Sequence, residues 1–246
     1  MLSALHRLLI LLLLAGSVRA ATMEEANAHF TSGDFAKAAA AYDQLIASDG
    51  PTASRFYNLG NARFKLKDYG PAILAYERAA LLSPRDPDIQ ANLKLARSAS
   101  TAFAEAGPDT WWGIAAQWCS LHEWSWITVA GAGLLGAVAL LWGIAGLSRP
   151  WLKRTVIGGI VIGLLGCSLG GTSIWLRRGE KDIGIVTAAA ATLRLSPFSA
   201  SNSAGTPGPG RTVHLGERSS DWVYVTIPGT SQSGWLQEKE VAAIFP

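Results

Sequence analysis

Charge is scarce in this chain of 246 residues: 16% are Asp, Glu, Lys or Arg, against 49% that are hydrophobic. So apolar a balance is unlike that of a soluble domain and points to segments that span a bilayer. The formal net charge of +3 lacks the clustering that nucleic acid demands. Arg7 and Arg19 lie near the start, Arg149, Lys153 and Arg154 crowd one short stretch, and the remainder is nearly balanced. With no basic stripe elsewhere, a DNA or RNA partner is excluded. Cysteine is scarcer still. Cys119 precedes the first long apolar run and Cys167 lies deep inside the second. Bridged Cα atoms must lie within about 7 Å, so the two read as small apolar residues rather than a disulfide. Cys119, His122 and Glu123 make at most half a metal site, too few ligands to close a coordination shell. The four histidines, His6, His29, His122 and His214, fall in different segments, and no glycine loop precedes a Lys-Ser or Lys-Thr pair. Neither an acid–base constellation nor a phosphate cradle is present, so the chain reads as non-enzymatic, with no cofactor and no metal.

Long apolar runs, by contrast, are plentiful. Residues 1–20 have the form of a secretory signal: His6 and Arg7, an apolar stretch from Leu8 to Ala15, then Val18-Arg19-Ala20 at a cleavage site. An uncleaved anchor is the alternative, although the apolar core is far short of the ~20 residues a span requires. Two later runs, 126–147 and 155–176, are uncharged and each reaches about 22 residues, or ~33 Å as helix. The segment 148–154 between them carries three cations and is expected on the cytoplasmic side, because Lys and Arg in short loops resist translocation. Both flanking parts are then expected in the periplasm. Residues 107–125, with Trp111, Trp112 and Trp118 after the helix-breaking Gly107-Pro108, read as an interfacial lead-in. Small residues form a stripe in each span: Ala132, Gly136, Ala139, Gly143 and Gly146 in the first, Gly159, Gly163, Gly166 and Gly170 in the second. Such stripes either pack the hairpin on itself or face other membrane proteins.

Between leader and first span, residues 21–106 repeat at an offset of 34. Asn27-Ala28 returns as Asn61-Ala62, Phe30 as Phe64, Asp34-Phe35 as Asp68-Tyr69, Ala38 as Ala72, and Tyr42 as Tyr76. That period is the tetratricopeptide period, two antiparallel helices per repeat. The second copy resembles the repeat closely, with Phe56, Leu59-Gly60, Ala72, Tyr76, Ala79 and Pro84 at its landmark places. Asp86-Pro87 then opens a capping helix that runs to about Phe103. By this resemblance a concave face carries Asn27, Phe30, Tyr57, Asn61, Phe64 and Lys65, where a protein partner would dock. An Asn amide both donates and accepts, so Asn27 and Asn61 either bind the backbone of an extended segment or are simply solvated polar positions.

Residues 177–246 change to short alternating strands. In Trp222 to Ile227, Val223, Val225 and Ile227 share one face, and Trp222, Tyr224 and Thr226 the other. Ser196 to Gly210, rich in Pro, Gly and Ser, reads as a mobile loop. Leu193-Arg194-Leu195-Ser196-Pro197, Val213-His214-Leu215, Asp221-Trp222-Val223 and Gly234-Trp235-Leu236 resemble the strands of a bacterial SH3-like barrel. That resemblance makes Trp222 and Tyr224 either a platform for peptide or cell-wall fragments or part of the barrel's filling, and assigns Trp235 to the core.

The order of parts, with Asn58-Leu59-Gly60-Asn61-Ala62, Ser83-Pro84-Arg85-Asp86 and Asp88-Ile89-Gln90-Ala91-Asn92-Leu93 in the repeats, looks like the BatE family of the Bacteroides aerotolerance operon. The expected fold is a multidomain membrane protein: an all-α tetratricopeptide module, two transmembrane helices and an all-β SH3-like barrel. The resemblance implies a bacterial inner-membrane scaffold beside membrane proteins with von Willebrand factor A domains and a MoxR-type ATPase. The alternative is a peptidoglycan-binding envelope sensor that works through the SH3-like part.

Overall fold

The structure, a computed structural model, describes residues 22–102, 110–145 and 150–245. The signal peptide expected over 1–20, the Gly107-Pro108 break, Gly146 and Arg149 lie outside the described residues.

Five helices build the first part: α1 (Met23–Thr31), α2 (Phe35–Asp49), α3 (Ala53–Lys65), α4 (Tyr69–Leu82) and α5 (Pro87–Ser100). Their starts follow from local chemistry. The Thr22 hydroxyl accepts from the Glu25 N–H at 3.2 Å while the Glu25 carboxylate receives the Thr22 N–H at 3.3 Å, a reciprocal cap. Thr52 caps α3 one way only, its hydroxyl accepting from the Arg55 N–H at 3.2 Å, and Asp86 caps α5 ahead of Pro87. Gly33 and Lys67 turn the chain between the two helices of each repeat, both with φ in the left-handed region at +83° and +62°. The side chain of Lys67 therefore sits where glycine is the easier residue. Small residues set the helix spacing. Ala26, Ala38, Ala62 and Ala79 are fully buried among Tyr42, Leu45, Phe56 and Leu59, and a Cβ on Gly60 would stand 2.7 Å from the Tyr76 ring.

After a short helix α6 (Trp111–Gln117), two long helices follow, α7 (Leu121–Ala145) and α8 (Pro150–Leu176). Both are long and apolar enough to cross a membrane. Helix α8 begins at Pro150, so Trp151, Lys153 and Arg154 stand on its first turns. The two small-residue stripes behave differently. A Cβ on Gly163 would meet Leu135 at 2.7 Å, one on Gly166 the Gly131 Cα at 3.3 Å, and one on Gly170 the Trp124 carbonyl at 2.8 Å, so the α8 stripe is used inside the hairpin. On α7, Ala132, Gly136, Ala139 and Gly143 are exposed, and the surface that meets α8 is Gly131, Leu135 and Val138.

A single 3-10 turn (Arg177–Asp182) leads into a seven-stranded antiparallel sheet: β1 (Ile183–Val186), β2 (Leu193–Arg194), β3 (Ser203–Gly205), β4 (Thr212–Ser219), β5 (Trp222–Thr226), β6 (Ser233–Gln237) and β7 (Val241–Ala243), in the order β3-β2-β6-β5-β4-β1-β7. The sheet is open rather than the expected closed barrel. β2 and β3 are two and three residues long, too short to wrap round, and β7 lies against the repeat module instead of β3. The stretch Ser196–Gly210, expected as loop, contributes β3 and buries Ser201. The buried face holds Val186, Leu193, Val213, Val223, Val225, Ile227 and Leu236.

Helix α4 joins the two parts. Ala72, Ile73 and Tyr76 are buried in one cluster with Leu93, Ala96, Ile185 and Ile244. A Cβ on Gly70 would fall 2.7 Å from the carbonyl oxygens of both Val186 and Thr187. Arg78 donates from Nε to the Ile244 carbonyl at 3.1 Å and from Nη2 to the Ala243 carbonyl at 2.9 Å.

Candidate functional site

The candidate groove is formed by α1, α3 and α5, each the first helix of its repeat position. Asn27 and Asn61 play one structural part twice: Tyr42 donates its hydroxyl to Asn27 Oδ1 at 2.7 Å, and Tyr76 donates to Asn61 Oδ1 at 2.7 Å. Burial pushes both phenols above their usual range, so they stay protonated as donors. One acceptor of each amide is thereby committed within its repeat, while its two N–H donors have no partner among the described residues. Phe30 is half-buried with its ring edge-on to Phe35 at 5.3 Å, and Phe64 is its counterpart against Tyr69 at 5.8 Å. Tyr57 stacks obliquely on Tyr76 at 6.1 Å, and its hydroxyl accepts from Asn92 Nδ2 at 2.7 Å, which ties α3 to α5. Lys65 is exposed.

The period also extends to a residue that the sequence reading passed over. Leu95 stands 34 beyond Asn61 and is 53% exposed, an apolar contact in the series Asn27, Asn61, Leu95. Counting the period once more into α5 would have found it. Nothing in the sequence marks Arg78 or Gly70 as a junction between helices and sheet.

Two ion-pair systems brace these helices. Arg63 donates from Nη2 to Asp43 at 2.9 Å and from Nη1 to Asp68 at 3.1 Å. Arg97 pairs with Glu77, whose carboxyl is pushed above its usual range by burial and pulled back by Arg97. Arg85 ties the repeat module to the apolar hairpin, reaching Glu123 at 2.6 Å and the Trp118 carbonyl at 3.1 Å, while Arg177, 6% exposed, holds Glu180 at 2.8 Å and the Cys119 carbonyl at 2.9 Å and so ties the end of α8 to the turn before α7. Glu123 is thus occupied, and His122 accepts from Trp126 Nε1 at 2.8 Å. Cys119 and Cys167 are free thiols.

On the sheet, Trp222 and Tyr224 are half-buried on the face opposite Val223 and Val225. Tyr224 donates its hydroxyl to Ser233 Oγ at 2.8 Å, and its ring stands edge-on to Trp235 at 5.4 Å. Trp235 therefore lies on the outer face with Tyr224, the pair facing each other in register. It was expected in the core, but period 2 sends Leu236 there instead.

No curated protein and no solved structure matches the chain. A tetratricopeptide repeat family model matches residues 23–88, the stretch that holds both repeats described above, so this part of the chain is a tetratricopeptide repeat region, of a kind that offers binding surfaces to proteins.

Proposed function

We propose that the chain is a membrane-anchored scaffold that holds a protein partner in the groove of α1, α3 and α5. The observation that carries this reading is the covered back of the second repeat: α4 spends its outer face on the sheet, with Tyr57 and Phe64 packed partly against the same cluster, while Asn27, Lys65 and Leu95 on the first helices are exposed. Amide donors beside half-buried aromatics suit an extended peptide, since its carbonyls need donors and its side chains need apolar contact. The resemblance to the BatE family supplies the partner class: membrane proteins with von Willebrand factor A domains, and a MoxR-type ATPase complex in an aerotolerance or envelope stress system. Both folded parts then stand in the periplasm on a two-span anchor in a bacterial inner membrane. A second reading rests on Trp222, Tyr224 and Trp235 sharing one sheet face, which suits peptidoglycan fragments or a peptide and makes the protein an envelope sensor.

Substitution at Asn61 separates groove binding from folding. Asn61→Asp keeps an oxygen for the Tyr76 hydroxyl and removes both N–H donors. Its thermal midpoint should stay near the parent's while partner capture from solubilised membranes drops at least about ten-fold. Asn61→Ala also strands the Tyr76 hydroxyl and should lose about 1 kcal/mol of stability. Trp222→Ala is the control and should leave capture intact. Undiminished capture by Asn61→Asp, with loss in Trp222→Ala, would transfer the function to the sheet. For topology, alkaline phosphatase fused after Pro246 should be active and a fusion at Trp151 inactive. The reverse pattern overturns the periplasmic assignment.

A further inference from the structure

The 34-residue period gives α5 the place of a third repeat's first helix, and the next described helix, the short α6, packs on α8 instead of pairing with α5 as a repeat's second helix would. In the second repeat that place is filled. Gly60 of α3 meets Tyr76 of α4, and Phe56 and Leu59 are buried with Ala75 and Ala79. Thirty-four residues on from Phe56, Leu59, Gly60 and Arg63 stand Gln90, Leu93, Lys94 and Arg97. Together with Ala102 these line a hollow of about 470 Å³. Leu95 is not among its lining residues, which distinguishes the hollow from the surface of Asn27 and Asn61.

The ion pairs follow the same period and stop one short. Arg63 bridges Asp43 and Asp68. The positions 34 further on are Arg97, Glu77 and Ala102. Arg97 keeps the first carboxylate, Glu77, but alanine stands where the second would be. The consequence is visible in the side chain: Arg97 Nε is buried with no hydrogen-bond partner. A buried N–H left unpaired is costly, and an acceptor brought to it is correspondingly favoured. Lys94, at the place of Gly60, is exposed and has no ion-pair partner among the described residues.

We propose that this hollow is a docking site for a helix of a partner protein that carries acidic residues. One turn of that helix lies where a third repeat's second helix would run. Its first carboxylate completes the Arg97 pair in place of the missing counterpart of Asp68, and a second faces Lys94. Charge selects the occupant: the rim offers Lys94 and an incompletely paired Arg97, while Glu77 is already engaged. The repeat's own second helix, with tyrosine in the close position, fits poorly because Lys94 stands where glycine admits Tyr76. An acidic residue there turns the obstruction into an ion pair.

A peptide of sequence 67–82 with Tyr76→Glu supplies both carboxylates on a helix already shown to fit the repeat. Binding of this labelled peptide to the full chain in detergent should be saturable. Asp68→Asn in the peptide, or Lys94→Glu in the chain, should each weaken it at least about ten-fold, and added salt should weaken it further. Ala102→Asp in the chain should raise the thermal midpoint and remove the advantage of the peptide's Asp68, because Arg97 then has its second carboxylate in place. Both chain variants leave Arg97 and Glu77 themselves in place, and the thermal midpoint of each reports whether folding is kept. Absence of saturable binding up to about 1 mM, or equal binding to parent and Lys94→Glu, overturns the proposal. A change of oligomeric state in Lys94→Glu without peptide would overturn it in favour of a second copy of the chain.

Discussion

Gly70→Leu should separate the repeat module from the sheet. The new Cβ would stand 2.7 Å from two backbone carbonyl oxygens, those of Val186 and Thr187, and neither can swing aside as a side chain can. Leucine is the better helix former by nearly 1 kcal/mol, so α4 itself persists and the strain falls on its contact with β1. Overpacking of this kind costs about 1 to 3 kcal/mol, and more where backbone must move. The Ile73, Ile185 and Ile244 cluster would then open to water. Limited proteolysis should cut between α8 and β1 far faster than in the parent, and the single thermal transition should split in two. A variant that melts once, at the parent's temperature, would mean that the two parts are not packed through Gly70.

Gly131→Leu should loosen the apolar hairpin, whereas Gly136→Leu on the same helix should not. A Cβ at Gly131 meets the Gly163 carbonyl at 2.8 Å and the Cys167 nitrogen at 2.9 Å, while one at Gly136 meets nothing within 4 Å. Membrane helices are held together by such close approach, since lipid removes the hydrophobic drive that packs helices in water. The pair of variants therefore differs only in side-chain placement. Gly131→Leu should lower the thermal midpoint in detergent by several degrees and shift reactivity at Cys167. Gly136→Leu should match the parent in both. Equal loss of stability in the two would show that α7 meets α8 through the other stripe.

Periodicity explains which features were legible beforehand. The offset of 34 located α1 to α4, their turns at Gly33 and Lys67, and the pairing of Asn27 with Asn61, because each repeat must bury the same face and reuses the same residue types. What it could not give was the second use of those residues. Asparagine on a solvent-facing helix position reads as a donor for ligand, yet its oxygen latches a tyrosine 15 residues on, a contact that arises only when the helices cross. The stripe on α7 was open between two uses for a related reason: spacing puts Ala132, Gly136 and Ala139 on one face but does not say which face meets α8, and Leu135 and Val138 are the neighbours there. Strand alternation correctly sorted Val223 and Val225 from Trp222 and Tyr224. Closure of the sheet depends on how β7 ends, and that is decided by Arg78, a long-range contact with no local signal.

The arginine at that junction also guards the protein against its own copies. An open sheet presents unpaired carbonyls at its last strand, a template onto which another chain can add. At the end of β7 the Ala243 carbonyl, and the Ile244 carbonyl just beyond the strand, are taken by Arg78, and at the other end β3 is only three residues long. Neighbouring molecules thus meet an edge whose last carbonyl is already taken. The protection depends on the repeat module staying folded, so damage to α4 should appear as strand-to-strand aggregation as well as lost partner binding.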